Sequence, residues 1–196
     1  MDLELITKLR NQTGAGVADC KEALAESNGD LDKALEILRK KGAKIAGKRA
    51  DKEATEGIIY AYIHANNKVG ALIELNCETD FVAKNEEFKN LAHDLAMQIT
   101  AQNPLYISTE DVPEDVLNKE KEIIKEELLA EGKPEEMLDK IIEGKLNKWY
   151  EEVCLLNQSF IKNEDLTVEK MMNEKIASLG EKIKIGSFCR KQINSV

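Results

Sequence analysis

The side chains best suited to act as nucleophiles, general bases or soft metal ligands are four cysteines, Cys20, Cys77, Cys154 and Cys189, and two histidines, His64 and His93. The cysteines form no CxxC pair, and there is no H-x-x-x-H or mixed Cys/His spacing to frame a metal site. Scattered along the chain, they read as small apolar side chains of a reduced protein rather than as disulfide partners. Cys77 and His64 flank an apparent hairpin and would make a thiol–imidazole pair if they met across it. Cys77, however, ends an apolar strand, whereas a reactive thiolate needs an electropositive setting. Carboxylates are too abundant for any one pair to stand out. No GxxxxGK[ST] or GxGxxG loop is present to cradle phosphates, and no nucleophile elbow occurs. Neither a metal nor a cofactor is expected, and covalent catalysis is not the expected class.

A different kind of chemistry is suggested by "NCETDFVAKNEEF" (76–88). Asp80 and Phe81 sit side by side where an apolar strand gives way to an amphipathic helix, in a chain that is only 5% aromatic. On the residues alone, Phe81 reads as a hydrophobic plug at the joint or as an exposed contact. Asp80 reads as an N-cap or Asx turn, and Val82 as the better inward-facing plug.

The elements that must hold this junction follow from periodicity. Leu3, Leu5, Ile6 and Leu9 form one apolar helical face, which "TGAG" (13–16) breaks. Val17, Cys20, Ala23 and Leu24 form a second, closed by "SNGD", where Gly29 suits a positive φ and Asp30 the next N-cap. Leu31, Ala34, Leu35 and Leu38 form a third. Residues 1–40 thus make a three-helix module. A basic run follows through residue 56, a linker or an extended helix end. It suits either a solvated tether or a grip on phosphate or an acidic surface.

"GIIYAYIHA" (57–65) and "KVGALIELNC" (68–77) are β-branched strands joined at Asn66–Asn67, a composition that fits a two-residue hairpin turn. Residues 85–101 form an amphipathic helix capped by Asn85, with Phe88, Leu91, Leu95 and Ile99 inward. Between residues 114 and 150 two acid-rich helices with narrow apolar stripes flank "EGKP", which predicts a helical hairpin. A helix over 167–180 precedes a strand at 181–193, kinked at Gly186. The expected class is α+β. An N-terminal three-helix module (1–40) and a basic linker (41–56) precede a core (57–196) of a small antiparallel sheet covered by helices.

The balance of 28 basic against 37 acidic side chains, −9 overall, disfavours direct binding of nucleic acid or an anionic membrane. No run approaches the roughly 18 apolar residues of a membrane span. "MDLELITKLR" resembles neither a signal peptide nor a transit peptide, so a cytoplasmic location is expected.

Three blocks, "LRNQTGAGVADCKEAL" (9–24), "VGALIELNCETDFVAKNEEF" (69–88) and "EVCLLNQSFIKNEDLTVEKMM" (152–172), closely resemble the elongation factor Ts family of nucleotide exchange factors, in the family's order. The resemblance implies a ubiquitin-associated-like N-terminal module and a partner, elongation factor Tu, bound with GDP or nucleotide-free. It implies that Thr79, Asp80, Phe81 and Val82 enter that partner near its magnesium and phosphate loop. It further implies that Leu9, Val17 and Ala18 dock on its GTPase domain. Many members carry bulkier methionines where Val17 and Ala18 stand, which implies a weaker contact here. Only one hairpin-plus-helix core unit is present, as in the short form of the family, which implies a homodimer with an edge at Ile185, Phe188 and Cys189. The competing expectation is a non-catalytic adaptor whose N-terminal module merely tethers a partner.

Overall fold

The computed structural model describes residues 3–194; the first two and last two residues of the expected module and core lie outside them. The chain opens with helices α1 (Leu3–Thr13), α2 (Val17–Glu26) and α3 (Leu31–Arg49). Strands β1 (Glu56–Ile63) and β2 (Val69–Cys77), a single helical turn α4 (Asp80–Ala83) and helix α5 (Glu86–Gln102) follow. Next come helices α6 (Glu114–Ala130) and α7 (Glu135–Val153), then short strands β3 (Ser159–Phe160) and β4 (Asn163–Thr167). Helix α8 (Val168–Leu179) and strand β5 (Ile183–Gln192) complete the α+β fold. The residues divide into two compact units, one of residues 1–100 with 169–196 and one of residues 101–168.

In the first unit, α1 to α3 close on a small apolar cluster of Ile6, Leu9, Cys20, Ala23, Leu24, Ala34 and Leu38. Asp30 starts α3, its carboxylate accepting the backbone N–H groups of Asp32 and Lys33 at 3.1 and 3.2 Å. The third helix does not stop at residue 40 but continues through the basic run to Arg49. Lysine and arginine are good helix formers, and Arg39, Lys40 and Lys41 each find a carboxylate beside them.

The sheet has the order β1–β2–β5, antiparallel throughout. The β1–β2 connection is longer than a two-residue turn. His64, Asn66 and Asn67 lie outside both strands, and only Asn67 takes a left-handed conformation, with φ 54°. Asn66 instead accepts the Lys68 N–H through its side chain at 2.9 Å, so the pair of positive φ values that a type I′ turn needs does not arise. The late strand β5 pairs with β2 of its own chain, and its register shifts at Gly186 between Glu74 and Leu75.

One face of the sheet carries Ala71, Ile73, Leu75, Cys77, Ile183 and Ile185, all buried. Helix α5 covers it: the His93 ring stands edge-on to Tyr60 and Tyr62, with centroids 5.8 and 5.4 Å apart. Phe88, Leu91, Leu95 and Ile99, predicted to face inward, are all buried. Asn85 caps α5 as predicted, accepting the Glu87 N–H at 2.8 Å.

In the second unit, α6 and α7 form the predicted hairpin. They pack through Ile124, Leu128, Leu138 and Leu146, with Trp149 and Tyr150 beside them. The two-stranded β3–β4 ribbon was not expected, because its strands are too short to show a period. No described helix is long and apolar enough to cross a membrane.

Two glycines separate close packing from open space. A Cβ on Gly57 would lie 2.8 Å from Asn76 Cα and meet the Leu75 carbonyl oxygen, while one on Gly47 would meet nothing within 4 Å. Thermal melts should show Gly57→Ala destabilised by about 2 kcal/mol, since the β1–β2 backbones must part. Gly47→Ala should be stabilised by about 0.5–1 kcal/mol through helix propensity.

Candidate functional site

Phe81 and Phe88 stand seven residues apart, a spacing that in one continuous α-helix would put them on the same face. They have opposite fates: Phe88 is 0% exposed and Phe81 is 82% exposed. The cause is the break at Lys84–Asn85, where α4 ends after one turn and Asn85 starts α5 afresh. Leaving an aromatic ring in water forgoes about 1.5–3 kcal/mol of burial. That ring is the most exposed large apolar side chain among the described residues.

The residues around it are fixed. Thr79, not Asp80, is the N-cap of α4, its hydroxyl accepting the Val82 N–H at 3.5 Å. Asp80 occupies the first helical position, with its carboxylate exposed and joined to Lys84 Nζ at 2.6 Å. The hydrogen bond from Lys84 holds the Asp80 carboxyl below its ordinary value, so it is an anion at neutral pH. Val82 is only half buried, and Ala83 is the residue that turns inward. Cys77, at the end of β2, is buried as well.

Behind the turn lies a set of charged groups absent from the expected site. Glu181 accepts the N–H groups of Glu78 and Thr79 through one carboxylate oxygen, at 3.1 and 3.0 Å. Its other oxygen accepts the Thr79 hydroxyl at 2.6 Å. In return the Glu78 carboxylate accepts the Lys182 N–H at 2.6 Å and Arg49 Nη1 at 2.7 Å. The Lys182 N–H, followed by Arg49, holds the Glu78 carboxyl below its usual range. Lys182 Nζ donates to the carbonyls of Ala50 and Lys52, just past the end of α3. Gly180, at φ 74°, turns the chain out of α8 and delivers Glu181 to this place. That glycine stop was visible in the sequence, but the partner of Glu181 depends on the β2–β5 register.

The thiol–imidazole pair does not form. Cys77 pairs with Glu56 at one end of the hairpin, while His64 follows Ile63 at the other, about 26 Å away along the strands. Burial, aided by the Glu181 charge, pushes the Cys77 thiol up to about 11, and Cys77 Sγ donates to the Thr79 carbonyl at 3.1 Å. Cys77 is therefore a thiol at neutral pH, not a nucleophile.

Of the predicted docking residues, Val17 is 50% exposed at the start of α2 and Ala18 is also exposed. Leu9 is 0% exposed, packed within the three-helix cluster beneath that surface. On β5, Ile185 is buried and Phe188 half buried on the α5-covered face. Cys189 points the other way, opposite Leu72. Around it the outer sheet face exposes Ile59, Ile63 and Leu72.

The family profile described as elongation factor TS matches residues 4–195. The chain is 57% identical over 188 residues to the elongation factor Ts of Moorella thermoacetica, covering 96% of this chain and 93% of that protein. It is 55% identical over 189 residues to the elongation factor Ts of Syntrophus aciditrophicus, covering 96% and 94%. A third relative, the elongation factor Ts of Thermosipho melanesiensis, is 52% identical over 187 residues, covering 95% of each chain.

Because Phe81 makes little use of its own fold, Phe81→Ala should change stability by no more than about 0.5 kcal/mol in a urea titration. Phe88→Ala, seven positions on and fully buried, should cost about 3–5 kcal/mol in the same titration.

Proposed function

Because the chain belongs to the elongation factor Ts family, a family of translation elongation factors, we propose that it acts in the cytoplasm on elongation factor Tu carrying GDP. It promotes GDP release so that GTP can bind, and it makes and breaks no covalent bond. The observation that carries the reading is Phe81, held out in solvent on a turn whose backbone is hydrogen-bonded to Glu181.

Residues 1–40 serve as the docking module, with Val17 and Ala18 on its exposed surface, and residues 57–196 form the core that presents the wedge. Phe81 displaces an apolar element of the partner and recovers there the burial it forgoes alone. Asp80, anionic and beside it, disturbs the magnesium shell or its water ligands near the phosphate loop. Thr79 and Val82 complete the contact. A nanomolar nucleotide is held by about 12 kcal/mol, and speeding its loss ~10⁴-fold takes roughly 5.5 kcal/mol of differential interaction. Metal coordination and phosphate hydrogen bonds are the contacts strong enough to yield that much. Linkage makes the effect reciprocal: nucleotide weakens the binding of this protein by the same factor. The net charge of −9 agrees with a mechanism that needs no grip on phosphate.

The reading includes a homodimer. Exposed Ile59, Ile63 and Leu72 around Cys189 form a contiguous apolar face of the kind that marks an interface. Ile185 and Phe188 hold β5 in place from the opposite side.

Stopped-flow release of a fluorescent GDP from elongation factor Tu tests the exchange reading. Wild-type protein accelerates release; Phe81→Ala should lower the maximal rate by about tenfold or more, while Val17→Asp should chiefly raise the concentration needed for half-saturation. Release left unchanged by wild-type protein would leave only the adaptor reading. For the assembly, light scattering should give a mass near twice the 22.0 kDa chain; a monomer at every concentration refutes it.

A further inference from the structure

We infer that Glu181 is a positioning residue for exchange, acting through Thr79 to hold Phe81 at its angle, and that the same ionic network ties that angle to the end of α3. The inference rests on the exchange reading and adds to it a residue outside the turn itself.

The geometry is reciprocal. The β2–α4 corner offers two N–H groups and a hydroxyl to Glu181, which sits at the α8–β5 corner. That corner in turn offers its Lys182 N–H to Glu78. Each carboxylate therefore ties down the backbone of the other's segment, although the two are 103 positions apart in the chain. Because the Thr79 hydroxyl spends its proton on Glu181, its lone pairs are left facing α4, where one accepts the Val82 N–H. The cap of the turn that carries Phe81 is therefore set by Glu181. Hydrogen bonds to a carboxylate are shorter and stronger than neutral ones, so this anchor is stiffer than a backbone turn alone.

The third partner is α3. Arg49, its last residue, donates to the Glu78 carboxylate, and Lys182 Nζ satisfies carbonyls immediately beyond it. Helix α3 packs on α2, the helix that begins at Val17. Two contact points that must engage one partner together are thereby connected through a few charge-assisted hydrogen bonds. A wedge held within a narrow range of angles arrives ready to act, whereas a misplacement of about 1 Å can cost on the order of 10²-fold in rate.

The test is GDP release at increasing concentrations of this protein, separating the maximal rate from the half-saturating concentration. Glu181→Ala should lower the maximal rate about tenfold and move half-saturation by no more than about twofold, because docking through Val17 is untouched. Glu181→Gln, which keeps an acceptor for the two N–H groups, should lose only about threefold and serves if the alanine variant melts below the assay temperature. Placed in a Phe81→Ala background, Glu181→Ala should lower the maximal rate no further, since it acts through the ring. An unchanged maximal rate in Glu181→Ala overturns the inference. So does full additivity with Phe81→Ala, or an effect confined to half-saturation. If Phe81→Ala itself leaves the maximal rate unchanged, the wedge reading fails first and the inference with it.

Discussion

Cys77 pairs with Ile183 in the ladder that joins β2 to β5, and the useful geometry of the molecule follows from that register. Pairing there brings the corner after β2 against the corner before β5, so that Glu78, Thr79, Glu181 and Lys182 exchange backbone hydrogen bonds. It also completes the apolar sheet face that α5 covers. A slip of one residue would send Ile183 and Ile185 to solvent and carry Glu181 away from Thr79. Burial on one face and charge at one end therefore enforce the same alignment.

The exposed ring of Phe81 depends on this doubly determined corner. An aromatic side chain on a loose loop would fold back onto the nearest apolar surface, and Phe88 shows how readily this core accepts one. Here α4 is too short to bend and too well capped to unwind, and Asn85 resets the helical phase before the core helix begins. The ring is presented by backbone constraints, not by side-chain packing of its own. Such a surface suits a partner that supplies the missing burial.

Much of this was legible from residue patterns. The apolar periods of residues 3–38 and 85–101 mark their helices because each helix buries one continuous stripe. Asp30 and Asn85 announce helix starts because their side chains are short acceptors. Other features were hidden for equally physical reasons. The basic run after residue 40 reads as a tether until its carboxylate partners Glu22 and Glu78 are placed in space. Leu9 looks like a contact residue within its motif, yet lies at the centre of three helices. Ile185 reads as an edge residue until its strand direction is known, and then faces inward. Glu181 carries no local signal at all, since its role exists only once residues far apart in sequence are paired.

The β2–β5 pairing also sets an order of events during synthesis. The three N-terminal helices close through local contacts, whereas the β2–β5 pairing closes a long loop and must wait until β5 has been made. Until then Thr79 lacks Glu181, and the third strand of the sheet is missing. A nascent chain can therefore fold its N-terminal module before the corner that carries Phe81 is secured. Strand β5, made long after β2, is the one that secures the corner beneath the exposed ring.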